Sequence, residues 1–321
     1  MSDTYTDNAG RLLSELHMFR KPVSVPAIPL AATIAIALGI ASFDVRPVAS
    51  QASGRERVLY ASVVDKNGEP VNGLGPDDFI VREDNARREV LRVSRASDPI
   101  AIAVLVDNSA AAEDDIKNIR DGLTKFITQM RADSDIALIG LGDRPTILQD
   151  YTRNAELLNA AIGRLFARPG SGMMFLEAVV DVSRGLKKRD EPRAVMIPIL
   201  TDGAEFSNLH YNQVLEALEG SGAAMHAVMI GRFARLGSDE LKNRASVLDA
   251  GPRQSGGQQI TVLTSMAVSS SLEKLGRELS NQYKVVYGHP ESLVPPEQIT
   301  VGVAHQGLTA RGTPERRKPG A

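Results

Sequence analysis

Residues Ile100 to Ala111, I-A-I-A-V-L-V-D-N-S-A-A, constrain this chain more than any other stretch. Seven apolar residues, most of them small or β-branched, run without a break into Asp107, Asn108 and Ser109. A strand with one wet face alternates polar and apolar residues. An unbroken run of this length reads instead as a strand covered on both faces, which is the condition of a parallel sheet. A helical pattern begins near Glu113. Asp107 and Ser109 are therefore expected at the carboxyl end of a central strand, where open α/β sheets bind their ligands. A carboxylate and a hydroxyl at i and i+2 there make half of an oxygen-ligand cation site. The same pair also suits a helix N-cap, which satisfies free backbone N–H groups with no ligand. The stretch by itself leaves both readings open.

From Pro99 onward the rhythm is strand then helix. Ile116, Ile119, Leu123, Phe126, Ile127 and Met130 recur at helical spacing, and Asp135 to Leu141 is a second apolar strand. Only a short turn separates it from Thr146 to Tyr151, so this edge pair is expected to be antiparallel. A Gly-rich loop, Pro169 to Gly172, leads into a helix, and Ala194 to Leu200 is a third apolar strand ending in Thr201-Asp202-Gly203. Strands at Met225 to Ile230 and Ile260 to Leu263 follow, and a last helix carries Leu272, Leu275 and Leu279. Gly237 to Gln259 is polar and reads as a surface excursion around one short helix. Strands alternating with helices imply an α/β fold with a doubly wound, mainly parallel sheet and one antiparallel edge strand.

The flanks differ. Val58 to Val64, Glu69 to Leu74, Phe79 to Val81 and Glu89 to Val93 are short, turn-bounded segments of strand composition, and Gln282 to Tyr287 and Gln298 to Val303 resemble them. Such small sheets are marginal alone, so the two ends are expected to pair into one small β-sandwich. Glu113-Asp-Asp115 suits the negative first turn of a helix.

At the amino end, a polar head closes on Arg20-Lys21, and Val23 to Phe43 contains a single chargeless apolar run. It is short for a spanning helix but adequate for a signal or anchor segment. The positive flank orients the remainder to the non-cytoplasmic side. The expected organisation is a cytoplasmic head, signal or anchor segment and linker over 1–54, a first strand module over 55–98, the α/β domain over 99–282, closing strands over 283–311, and a disordered tail over 312–321. Location is then exported: periplasmic, membrane-anchored through that segment, or secreted.

Composition excludes several function classes. With no Cys there is no disulfide, thiolate nucleophile or Cys-zinc site. A net charge of −2, 4% aromatics and no Trp argue against nucleic acid as a partner. Pro169 to Gly172 lacks the Lys of a phosphate loop. His17, His210, His226, His289 and His305 show no ligand spacing, and no Ser/His/Asp order is legible.

Asp107-Asn-Ser-Ala-Ala111 at a first strand, a Gly-rich loop before a helix, and Leu200-Thr-Asp-Gly203 after a later strand together resemble the von Willebrand factor type A domain. Val63 to Val71, Leu74, Asp78-Phe79 and Glu83-Asp84 before it, with Gln282-Tyr283, Tyr287, Ile299 to Val301 and Gly307-Leu308 after it, are similar to the flanking strand module of a bacterial group of such proteins. The resemblance implies a divalent cation, Mg²⁺, at the sheet top and a protein partner recognised there. Carried over by position, Asp107, Ser109 and Asp202 match three of five oxygen ligands. Ala111 stands where a second Ser is expected and Met173 at about the Thr position, with Ser171 a substitute two residues away. A thioether is a poor Mg²⁺ ligand, so the site is expected to be weak or vacant. The leading expectation is a non-enzymatic protein-binding module. The alternatives are a metal-dependent hydrolase using the same carboxylates and a purely structural subunit of an envelope assembly.

Overall fold

A computed structural model describes residues 55–232, 237–290, 296 and 298–314. The head, apolar segment and linker expected over 1–54 lie outside the described residues, as do residues 315–321 of the expected tail. Among the described residues no helix is long and apolar enough to cross a membrane.

The described residues open with β1 (Arg55–Val64), β2 (Phe79–Glu83), β3 (Ala86–Arg88) and β4 (Val90–Arg95). The α/β part follows as β5 (Ile100–Val106), α1 (Ile116–Met130), β6 (Ser134–Gly140), β7 (Thr146–Thr152), α2 (Ala155–Gly163) and α3 (Phe175–Arg189). It continues through β8 (Arg193–Leu200), α4 (Tyr211–Ser221), β9 (Ala224–Ile230), α5 (Asp239–Gln254), β10 (Gln258–Val262) and α6 (Val268–Ser280). The closing strands are β11 (Tyr283–His289), β12 (Ile299–Val303) and β13 (Thr309–Pro314).

Six strands form the central sheet in the order β10-β9-β8-β5-β6-β7. All pairings are parallel except β6 with β7, the expected antiparallel edge. Every residue of β5 is buried, and its two faces serve two cores. Ile100, Ile102, Val104 and Val106 pack with α1, α2 and α6, while Ala101, Ala103 and Leu105 pack with α3, α4 and α5. Alternation between two covered faces is why the stretch shows no polar residue.

The ends of the chain interleave as foreseen, in an order that the sequence did not reveal. One sheet runs β13-β1-β11-β4 and a second β12-β2-β3, and they enclose a common core around Leu59, Phe79, Val81, Val285 and Tyr287. Strand β11 lies between β1 and β4, so the first module has no continuous sheet without the last strands. Glu69 to Leu74 is not a strand; it makes only an isolated bridge at Pro70.

Two further expectations change. The tail does not begin at residue 312, because β13 extends to Pro314, pairing Gly312 with Ala61 and Pro314 with Leu59. Its backbone completes the exposed edge of β1, which outweighs its polar composition. The polar stretch after Gly237 holds a full helix, α5, with Val247, Leu248, Gly251 and Pro252 buried. Its apolar stripe is narrow because it covers only the sheet's margin. Glu113 to Asp115 form a turn ahead of α1, and Asp115 is its N-cap.

The sandwich is bolted to the amino ends of the sheet strands. Arg193, at the start of β8, donates from Nη2 to Leu279 O (2.6 Å) and Gln282 Oε1 (2.8 Å), and from Nη1 to Asp98 O (3.0 Å). Arg311 on β13 pairs with Glu278 on α6 at 2.7 Å, and Lys284 pairs with Asp98 at 3.0 Å. The carboxyl ends of β5, β8, β9 and β10 are left at the opposite end of the sheet.

Candidate functional site

At the end of β5 the chain leaves the sheet carrying Asp107, Asn108 and Ser109, all buried. The backbone of Asp107 still donates to Ile199 O (2.9 Å), so its carboxylate points along the strand axis between β5 and β8. Both carboxylate oxygens are engaged. Oδ1 accepts from the Ser109 N–H at 2.9 Å, and Oδ2 accepts from the Thr201 N–H at 3.2 Å and from the Thr201 hydroxyl. Ser109 Oγ is different: it is buried with no hydrogen-bond partner among the described residues.

Asn108, which the sequence reading left without a role, knits the loops together. Its Oδ1 accepts from Gly142 N (2.7 Å), its Nδ2 donates to Phe166 O (3.2 Å), and its own carbonyl accepts from Arg168 N (2.9 Å). A Cβ at Gly142 would fall 2.9 Å from the Asn108 carbonyl oxygen, so only glycine permits this approach.

The other expected ligands go elsewhere. Met173 is a short bridging segment: its N–H donates to Ala204 O and its carbonyl accepts from Phe206 N, both at 2.8 Å. This backbone register drives the thioether into the core with Phe175 and Leu176, where no hydroxyl is needed. Ser171 Oγ donates to Arg168 O at 2.9 Å and so caps its own loop. Asp202 is exposed, and a Cβ added at Gly231 would lie 3.8 Å from its Oδ2, which sets the carboxylate over the end of β9. Ala111 abuts Gly203: a Cβ on Gly203 would meet the Ala111 methyl at 2.7 Å and Ser109 Oγ at 3.2 Å.

Two charged groups that the sequence reading did not single out lie buried here. Glu205 is 4% exposed and accepts through Oε1 from Phe175 N (3.0 Å) and Ser207 N (3.3 Å). Burial pushes its carboxyl up to about 7, against the hydrogen bonds and the nearby Arg244 charge. Arg244, on α5, is 1% exposed and donates from Nη1 to Gly203 O at 2.6 Å. Burial lowers its pKa, and the negative charges of Glu205, Asp107 and Asp202 work against that lowering. An arginine inside a polar stretch carries no sequence signal of burial.

As arranged, these residues do not fit a divalent cation. Such an ion requires several oxygen donors around one point. Asp107 has both oxygens engaged, Ser171 is turned to its own loop, Ala111 and Met173 offer no oxygen side chain, and the buried Arg244 already acts against the charges of Asp107 and Asp202. Among the described residues no three His, Cys, Asp or Glu side chains gather at one point. Among the described residues, His289 lies with Glu83, His305 with Asp78 and His210 at the start of α4, while His226 is buried in β9.

Comparison with solved structures finds type A domains among its matches, with TM-scores below 0.5. The vWF domain of the type V pili tip protein Mfa5 from Porphyromonas gingivalis superposes with a TM-score of 0.45 at 11% identity, covering 57% of this chain and 96% of that one. A von Willebrand factor type A protein from Catenulispora acidiphila gives 0.44 at 11% identity over 81% of this chain and 73% of that one. Proximal thread matrix protein 1 from the mussel byssus gives 0.45 at 15% identity, covering 58% of this chain and 50% of that one, so this chain spans about half its length. No protein-family profile matches the sequence, and no curated protein does. The doubly wound, mainly parallel sheet with one antiparallel edge strand is the fold class expected from the sequence; function rests on the residues themselves.

Proposed function

We propose that this chain is a non-enzymatic, exported protein-binding module that engages its partner at the carboxyl end of the central sheet. One observation carries the reading. Large apolar side chains stand exposed around that end: Phe166 (61%), Phe206 (53%), Leu263 (76%) and Met266 (75%). Each belongs to a loop at the strand ends, after α2, β8 or β10. Exposed apolar side chains at the loop end of the sheet are the kind of surface a protein partner covers. The exposed carboxylate of Asp202 lies in the same set of loops. The partner chemistry this favours is a protein surface with apolar side chains and a positive group facing Asp202. The scaffold suits the role, because the sandwich ties down the opposite end of the sheet through Arg193 and Arg311. Export is part of the proposal on the strength of the chargeless apolar run after Arg20-Lys21.

The test is capture from envelope extracts with the full chain as bait. Wild type is expected to retain a discrete partner, and Phe206→Asp with Leu263→Asp is expected to lose it. Leu91→Asp, on the sandwich, is expected to leave capture intact. Equal capture by the sheet-top variant would remove the proposed face. Ester or phosphate turnover by the purified chain, abolished in Asp107→Ala, would favour the hydrolase instead.

A further inference from the structure

We infer that Arg244 is the resident cation of the sheet top: its guanidinium takes the electrostatic place of a divalent ion and holds the loop after β8 closed against Ala111. The inference uses the proposed binding face only to say where the site lies. Its test is made on the chain alone, so it stands or falls separately from partner recognition.

Three observations converge. The first is placement. Arg244 reaches in from α5 and donates to the Gly203 carbonyl at 2.6 Å with only 1% of its surface exposed. Arginine is almost never so deeply buried without compensating charge. The negative charges of Glu205, Asp107 and Asp202 act on it. Two of these, Asp107 and Asp202, are the carboxylates that a divalent ion would otherwise neutralise.

The second observation is closure. Gly203 follows Asp202 directly, and its backbone is packed so close to Ala111 that a Cβ would meet that methyl at 2.7 Å. A Ser at position 111 would place a hydroxyl against this backbone. Ala111 leaves room for this close packing, and Arg244 bonds the Gly203 carbonyl. The loss of one expected oxygen and the gain of an arginine are thus parts of one arrangement.

The third observation is a leftover. Ser109 Oγ is buried without a hydrogen-bond partner, 3.2 Å from where a Gly203 Cβ would stand. The hydroxyl that a cation would take up faces this loop. Guanidinium suits the fixed role, since it stays protonated and its donors form a rigid fork.

The experiment has two arms on the full chain. In the first, Mn²⁺ binding to wild type is followed by its paramagnetic spectrum and melting is compared in Mg²⁺ and in chelator. No saturable Mn²⁺ site and a melting temperature unchanged by Mg²⁺ are expected, because a ligand bound only by the folded state would raise it. A stoichiometric Mn²⁺ site lost in Asp107→Ala would overturn the inference. In the second, Arg244→Met keeps the length and removes the charge, whereas Arg244→Lys keeps the charge. Arg244→Met is expected to lower the melting temperature by about 5 °C or more, with a smaller loss for Arg244→Lys. The loss for Arg244→Met is expected to shrink in a Glu205→Gln background, where one of the three negative groups acting on the guanidinium is removed. Equal losses in the two backgrounds, or an Arg244→Met variant as stable as wild type, would overturn it. If Arg244→Met does not fold, the Mn²⁺ arm decides alone.

Discussion

His289 Nδ1 lies 2.7 Å from Glu83 Oε2, joining two residues 206 positions apart inside the sandwich. Glu83 also accepts from Tyr287 (3.0 Å), Arg88 (2.9 Å) and Arg57 (3.3 Å), and its side chain is fully buried. Burial by itself raises this carboxyl, but the hydrogen bonds of His289, Tyr287 and Arg88 and the His289 charge outweigh it and hold the pKa below the usual value. A depressed carboxylate adds stability above its unfolded pKa and loses it as pH falls through the folded one. Glu83→Gln is therefore expected to cost about 2 kcal/mol at neutral pH. In denaturant titrations its deficit against wild type should narrow as pH drops below the ordinary carboxylate range.

Because β11 runs between β1 and β4, removal of residues from Gln282 onward takes out the centre of a sheet. Amide hydrogens of Leu59, Val63 and Val93 are expected to lose their slow exchange in that truncation. Unchanged protection there would mean that the first strand module folds on its own.

How much of this was legible in the sequence depended on burial. Strands β5 and β8 are covered on both faces and read directly as apolar runs. The pairing of the two ends was legible from turn spacing, but not the insertion of β11 between β1 and β4, because side-chain pattern does not encode strand order. β3 and β13 were missed since Ala86-Arg-Arg88 and Thr309 to Pro314 contribute backbone more than apolar surface. At the sheet top, Asp107 and Ser109 stand at the strand end as expected. Ser171 and Met173 are redirected by loop hydrogen bonds that sequence does not show. Arg244 and Glu205 stayed hidden because each is buried by its neighbours' arrangement, not by its own chemistry.

Glu205 gives a second, opposite pH dependence. Its folded pKa is raised to about 7 by burial, so the stability it permits is full below the ordinary carboxylate pKa and falls as pH rises through about 7. Glu205→Gln is expected to remove that decline and to be more stable than wild type by about 1–3 kcal/mol at alkaline pH. Melting curves between mildly acidic and alkaline pH measure it directly. Parallel pH profiles for the two proteins would show that Glu205 is charged throughout.

His226, 1% exposed with neither ring nitrogen hydrogen-bonded among the described residues, is pushed down to about 4 by burial. A base whose folded pKa is depressed leaves the fold intact above its unfolded value of 6.5 and weakens it between there and about 4. Its ring proton resonances are expected to stay constant from neutral pH down to about 5. A midpoint for His226 near that of a free histidine would contradict its burial.

The packing of Gly203 on Ala111 makes the closed sheet top testable without any ligand. Gly203→Ala places a methyl 2.7 Å from the Ala111 methyl and 3.2 Å from Ser109 Oγ, closer than carbon atoms pack. Neither neighbour is a flexible chain end, so the loop must move outward and strain the Arg244 bond to its carbonyl. Overpacking of this kind costs about 1–3 kcal/mol. Ala111→Gly on its own is expected to be mildly destabilising, since it removes a methyl from contact with the loop. Combined with Gly203→Ala it should instead restore most of the loss, because the deleted methyl makes the space that the new one needs. Thermal melts of the two single variants and the double variant test this. Simple additivity of the two losses would mean that the loop after β8 does not rest on Ala111.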